Sequence, residues 1–307
     1  NYRFTNYQLQ FNINEYRMNF LIKLLIFSNL IFSSSQTGWM KNYGGNGMDE
    51  AYYVEVISDG TYLITGSTES YGYGKISEYK YSGEIIDCPT PKQDFWKSGT
   101  RDIWLLKVDI NGNKIWDKTY GSSLDERAYS VKETKEGDYI VLGSQYNKKT
   151  KSDIYLIKVN KYGEEIWTKI FGGVENDLSY YANQTLDGGY AIIGITGSYG
   201  KGENDLWFIK LDKNGNKLFD KTYGLDLDDF GYHFTENSKG EFLIVGGSTS
   251  MQKRTYKDKV YNDKKLKSWI LKINSNGELI WDKKIGEGVA QLIKKTNTGD
   301  YLIRTTL

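Results

Sequence analysis

One short string confines this chain to a repeat architecture. It occurs as WMKNYG from Trp39, WDKTYG from Trp116, WTKIFG from Trp167, FDKTYG from Phe219 and WDKKIG from Trp281. Successive starts lie 77, 51, 52 and 62 residues apart, so the unit is about 51 residues long and the excess is insertion. Units of that size cannot bury their apolar faces singly and must pack against neighbours.

Ahead of four of the strings stands a second pattern: DIWLLKVDINGNKIW, DIYLIKVNKYGEEIW, DLWFIKLDKNGNKLF and SWILKINSNGELIW. Lys107, Lys158, Lys210 and Lys272 each precede a glycine by five residues (Gly112, Gly163, Gly215, Gly277) and the next Trp or Phe by nine. Apolar or alternating runs on either side of an Asn-Gly-type turn predict a hairpin. A second pair follows each string, as in DERAYSVKETKEGDYIVLGS. In it Asp49, Asp125, Asp177 and Asp228 stand four residues before Tyr53, Tyr129, Tyr181 and Tyr232. The next strand opens at Tyr62, Tyr139, Tyr190 or Phe242 and reaches Gly66, Gly143, Gly194 or Gly246 four residues on. Four strands per unit, with turn signals every eight to twelve residues and no helical period, predict an all-β chain: a β-propeller of four-stranded antiparallel blades.

The blades are expected over 49–121, 125–172, 177–224 and 228–286, with a partial fifth over 287–307. Residues 37–44 are expected to close the last blade as its outer strand. A fragment of a larger propeller and a five-bladed ring with one three-stranded blade both fit this layout. Trp39, Trp116, Trp167, Phe219 and Trp281 are expected to fill the space between blades. From Met18 the run MNFLIKLLIFSNLIFSSSQ has the layout of a signal peptide over 18–35, with the propeller over 36–307, so a secreted or cell-surface protein is expected. Residues 1–17 read as upstream translation.

Taken together, WxKxYGG, TxDGGY and DIWLxKxDxNGxxxW resemble the tandem repeats of secreted bacterial β-propeller proteins, and distantly the kelch repeat. The resemblance spans residues 37–307. It implies extracellular, lectin-like binding and no particular reaction.

Charge and composition exclude several functions. Forty Lys and Arg against thirty-nine Asp and Glu leave no global field for nucleic acid. One cysteine, Cys88, and one histidine, His233, rule out a disulfide framework and leave zinc or triad chemistry a single imidazole. His233 reads as a packed strand residue, and no cofactor or metal is expected. The expected partner of this monomer is an extracellular polysaccharide or a protein.

Function is expected on the second-to-third strand loops, of which two are long. The first, 69–101, holds Tyr71, Tyr73, Tyr79, Tyr81, Phe95 and Trp96 with Asp87 and Asp94 nearby; flat aromatic faces beside carboxylates suit a sugar ring. Folding of these aromatics onto the blade is the competing reading. The second, 249–267, interleaves Arg254 and six lysines with Tyr256 and Tyr261, and reads as a solvated flexible loop or an anionic-polysaccharide site. The recurring aspartates Asp49, Asp125, Asp177 and Asp228 read as turn formers accepting backbone N–H groups. LDLDDF (Asp226, Asp228, Asp229) lacks the spacing of a calcium loop. A non-catalytic binding module leads; a glycoside hydrolase or lyase using Asp87, Asp94 or Glu84, and a purely structural module, are the alternatives.

Overall fold

The computed structural model describes residues 39–45, 47–72, 101–256 and 259–307, and every regular element in it is a strand. The first blade contains β1 (Asp49–Val56), β2 (Tyr62–Thr68), β3 (Asp102–Val108) and β4 (Lys114–Tyr120). The second contains β5 (Asp125–Glu133), β6 (Tyr139–Asn147), β7 (Lys151–Val159) and β8 (Glu165–Phe171). The third contains β9 (Asp177–Gln184), β10 (Tyr190–Thr196), β11 (Asp205–Leu211) and β12 (Lys217–Tyr223). The fourth contains β13 (Asp229–Glu236), β14 (Phe242–Tyr256), β15 (Lys259–Ile273) and β16 (Leu279–Glu287); β17 (Val289–Lys295) and β18 (Tyr301–Thr306) form a partial fifth. Each blade is an antiparallel sheet in chain order, and β17 pairs with β18 alone. This is the blade architecture of a β-propeller, four blades complete and a fifth in part. The chain divides into two compact units, Asn1–Arg127 and Ala128–Leu307. Among the described residues no helix is long and apolar enough to cross a membrane.

The middle strands read as unbroken apolar runs because both their faces are covered. Every residue of β10 and β11 is buried, whereas β12 has no buried residue and β16 is largely exposed. The core of the second unit therefore sits between blades. Ile140, Leu142, Ile154 and Leu156 of the second blade pack with Ile192, Trp207 and Ile209 of the third, and Ile193, Leu206 and Phe208 of the third pack with Phe234, Ile244 and Leu271 of the fourth. Each such side chain contributes about 1.5–3 kcal/mol on burial.

The glycine of the second strand has a cause that lies in its partner. The ladder slips by one residue between Ala51 and Tyr53, opposite the Ile193/Gly194 step, and between Gly231 and His233, leaving Tyr52, Tyr180 and Tyr232 as β-bulge residues. The bulge drives a carbonyl into the facing strand. A Cβ on Gly66, Gly194 or Gly246 would overlap the carbonyl oxygen of Glu50, Leu178 or Phe230 respectively. Only glycine lets the backbones approach so closely.

Within the second unit the aromatic string of an outer strand covers the hairpin turn of the following blade. A Cβ on Gly277 would come within 2.6 Å of the Phe219 ring, and one on Gly215 within 3.1 Å of Trp167. Both glycines hold positive φ, 77° and 76°. The Tyr223 hydroxyl donates to the Gly277 carbonyl (2.6 Å). Trp39 repeats this on the first blade: its ring lies 2.6 Å from the Cβ position of Gly112, and its indole N–H donates to the Ile110 carbonyl (2.7 Å). Residues 39–45 carry no strand, however, so the outer strand expected over 37–44 is not formed among the described residues of that stretch. Trp281 also departs from expectation, since its side chain is 43% exposed rather than packed between blades.

The third-strand lysines lie along the blade and reach an acid on the first hairpin. Lys107 pairs with Asp59 (2.8 Å), Lys158 with Asp138 (3.2 Å), Lys210 with Asp187 (2.8 Å) and Lys272 with Glu241 (2.7 Å). Burial alone would raise the Asp187 carboxyl, but the Lys210 ammonium and the Thr185 and Gly189 donors hold it at about 2. Asp187 is largely exposed, so solvent screens the pair. Asp187→Asn is expected to lower stability by about 1 kcal/mol, less in high salt, in urea melts at two ionic strengths.

Candidate functional site

The recurring acids cap the loop that leads into each first strand. Asp49 accepts the Gly45 N–H (2.8 Å) and Asp177 that of Gly173 (2.8 Å). In the other two blades the capping residue is not the expected Asp125 or Asp228 but its neighbour. Glu126 accepts the Ser122 N–H (3.2 Å) and Asp229 that of Leu225 (2.9 Å). Asp125 instead pairs with Arg127, and Asp228 accepts from the Asn204 amide. The correction shifts the aromatic positions too: His233, not Tyr232, corresponds to Tyr53 and Tyr181. His233 stacks on Tyr181 with ring centroids 3.9 Å apart, and Tyr232 lies 4.5 Å from Tyr180.

Of the loop residues singled out in the sequence, Tyr73, Tyr79, Tyr81, Asp94 and Trp96 lie outside the described residues, as do Glu84 and Asp87. Arg254 and Tyr256 fall on β14. Their segment is no flexible loop: β14 and β15 continue as one long hairpin, with Arg254 opposite Tyr261 and Tyr256 opposite Lys259. Among the described residues no three or more His, Cys, Asp or Glu are grouped to hold a metal ion.

Tyr71 is described, and it is a latch. Its hydroxyl donates to the Gly44 carbonyl (2.9 Å) and its ring lies 5.8 Å from Trp104, tilted by 43°. Tyr199 does the same in the third blade, donating to Gly172 (2.8 Å) and lying 5.3 Å from Trp207 at 46°. The serine before each, Ser70 or Ser198, donates to Asp49 (2.7 Å) or Asp177 (2.6 Å). The glycine after each, Gly72 or Gly200, holds a positive φ of 84° or 103°. A Ser-Tyr-Gly turn thus folds back over the tryptophan and closes the end of the blade.

The fourth blade keeps the tryptophan and loses the latch. Ladder pairing aligns Thr68, Thr196 and Ser248 through their partners Asp49, Asp177 and Asp229. Three residues further on stand Tyr71, Tyr199 and Met251. Met251 continues the extended hairpin and is 55% exposed. Where the latch would sit, a cavity of about 390 Å³ opens beside Trp269, within the size range of small-ligand pockets. Tyr223, Gly224, Leu225 and Leu279 line it on the apolar side, Lys201, Asp205, Asp229, Asp282 and Lys284 on the polar side.

The polar side is organised around the indole. Trp269 donates its N–H to Asp282 Oδ2 (2.8 Å), and the Lys284 ammonium lies 5.7 Å from the ring centroid. Asp205 accepts the N–H groups of Lys201 (2.7 Å) and Gly202 (2.9 Å). Burial raises the Asp229 carboxyl, against the Ser248 and Leu225 donors, and Asp205 adds to the rise. Its Oδ1 is buried without a hydrogen-bond partner. Trp269 is only 6% exposed, so a ligand ring reaches the indole only where Lys284 yields, with carboxylates beside it to hydrogen-bond its edge.

Sequence reasoning missed this site because it is an absence in a repeat. The signal was there in GGSTSMQ against GITGSYG and GSTESYG, but the insertion disguised the register. The chain matches no protein-family profile and no curated protein.

Proposed function

We propose that the protein is a non-catalytic binding module, secreted or displayed at the cell surface, that seats its ligand in the Trp269 cavity of the fourth blade. The observation that carries this reading is the break in the repeat: the latch that closes two sister blades is missing where the tryptophan, the capping acid and the carbonyl it served are all kept. The second blade also lacks the latch, with Lys148 at its position, but there Tyr155 replaces the tryptophan and Glu126 caps the loop, so the fourth blade is the one that keeps the socket and loses its cover. The signal-peptide layout after Met18 and the resemblance to secreted bacterial propellers support the extracellular setting. A glycan and a protein partner are both compatible with an aromatic face flanked by a cation and carboxylates.

Asp205 and Asp229, two carboxylates on one cavity, favour a second reading as the acid and base of a glycoside hydrolase. Their counterparts argue against it. Asp153 and Asp177 stand in the same two positions of the preceding repeat, both buried, where Tyr199 closes the blade end. A pair present beneath a closed latch is scaffold.

The test is retention of the full chain on arrays of extracellular polysaccharides and surface proteins. Wild type is expected to retain a ligand, and Trp269→Ala and Lys284→Ala to weaken it about tenfold or more, in line with losing an aromatic anchor. Release of reducing ends from a retained polysaccharide would establish the enzyme instead. Retention that survives both substitutions but fails in Tyr73→Ala and Trp96→Ala would move the site to the 69–101 insertion.

A further inference from the structure

The chain carries two internal templates for what fills the Trp269 cavity, and from them we infer that its ligand is a tyrosine side chain presented by a protein partner on a Ser-Tyr-Gly turn. The inference deepens the reading above and rests on it. In the first and third blades the same socket is occupied in cis by Ser70-Tyr71-Gly72 and Ser198-Tyr199-Gly200. Three contacts recur in both: hydroxyl to the Gly44 or Gly172 carbonyl, ring on Trp104 or Trp207, serine to Asp49 or Asp177.

The acceptors of that constellation persist in the fourth blade, and among the described residues no Ser-Tyr pair meets them. Gly224 occupies the place of Gly44 and Gly172, five residues before the capping acid, and lines the cavity. Trp269 keeps the indole–carboxylate bond that Trp207 makes to Asp220 (3.0 Å). Asp229 keeps the backbone bond of the capping acid, but no serine hydroxyl at the latch position reaches it among the described hydrogen bonds. The extended β14–β15 hairpin is the reason. By continuing as strand through Ser250 and Met251 it carries the latch residues away from the socket, and Lys264 near its far end pairs with Glu203 (3.2 Å).

The lining favours a phenol over a sugar. A pyranose presents hydroxyls around its whole rim, and those facing Leu225 and Leu279 would lose their water without gaining partners. A tyrosine needs one acceptor at the tip of its ring, and the Gly224 carbonyl supplies it. Turn presentation also limits the conformational freedom lost on binding, as it does in cis.

The test titrates the full chain by calorimetry with three probes: acetyl-Ser-Tyr-Gly-amide, acetyl-Ser-Phe-Gly-amide and methyl glucoside. The tyrosine peptide is expected to saturate at millimolar concentration and the phenylalanine peptide to bind about three- to tenfold more weakly, the loss of one hydrogen bond to a buried carbonyl. Methyl glucoside is expected to give no saturable heat. Because Trp269→Ala removes a buried indole, Trp269→Phe and the surface change Lys284→Ala serve as second variants, and each is expected to weaken the tyrosine peptide severalfold while leaving the thermal midpoint within a few degrees. Equal binding of the two peptides, or saturation by methyl glucoside alone, would overturn the inference while leaving the cavity as the ligand site. Array retention indifferent to every Trp269 and Lys284 variant would overturn both.

Discussion

Gly194→Ala is expected to destabilise the protein by about 3–5 kcal/mol, a large share of the 5–15 kcal/mol typical of a folded domain. The new methyl would overlap the Leu178 carbonyl oxygen and come within 2.7 Å of the Ser179 Cα, both backbone atoms of a buried, hydrogen-bonded ladder. Neither can retreat without dissolving the bulge that places Tyr180, so the ordinary 1–3 kcal/mol of overpacking is a lower bound. Gly188→Ala is the control. Gly188 sits at φ 81° with nothing within 4 Å of a Cβ, so alanine there meets backbone strain alone, about 1–2 kcal/mol. Urea melts should separate the two variants by about 1–4 kcal/mol. Equal losses would mean that the strand glycines are kept for conformation and not for the approach of a carbonyl.

His233→Tyr is expected to flatten the stability of the protein between pH 4 and 6.5. Burial, reinforced by the positive charge of Lys132, pushes the imidazole down to about 4 from an ordinary 6.5. The folded state therefore holds His233 neutral in a range where the unfolded chain binds a proton. Its contribution is complete above pH 6.5 and is lost as the pH falls toward 4, on the order of 3 kcal/mol in all. Tyrosine is the natural replacement, since Tyr181 holds the corresponding position in the third blade and stacks on His233. Between pH 7 and 4.5 wild type should lose about 2–3 kcal/mol more than the variant, read from urea midpoints and slopes at both values. Glu236 acts in the opposite sense, because burial raises its carboxyl, and so the difference between the two proteins rather than either curve isolates the imidazole. Identical pH slopes would show that His233 protonates freely in the folded state.

Much of the fold could be read from residues near one another in the chain. The hairpins follow from Asp109-Ile110-Asn111-Gly112 and its copies: Gly112 takes φ 72° and closes a turn onto Asp109, whose carboxylate accepts the Asn111 and Asn113 N–H groups. The middle strands follow from runs such as IWLLKV and LWFIKL, too apolar to leave a face in water. The errors came from a shared cause. Counting from tyrosine to tyrosine selected Asp125 and Asp228, but a bulge puts adjacent aromatics, Tyr52 and Tyr53 or Tyr180 and Tyr181, on one strand. A period-two count cannot tell which of the two faces the partner. The long 249–267 segment was misread for its lysines, although pairing with a continued strand outweighs composition once Phe242 and Ile273 set the register.

By itself the sequence determined the four-strand repeat, where most strands turn and that the repeats must pack side by side, because periodicity, turn glycines and apolar runs act over a few residues; the further strand it predicts over 37–44 does not form among the described residues. Tertiary structure alone decided which acid caps each loop, why the second strand needs glycine, and that one blade end stands open. Those depend on ladder register and on what a residue 27 positions away does or fails to cover, as when Tyr71 reaches Gly44 and Met251 does not take that place over Gly224. A missing contact has no local signature, since it exists only by comparison with the copies that make it.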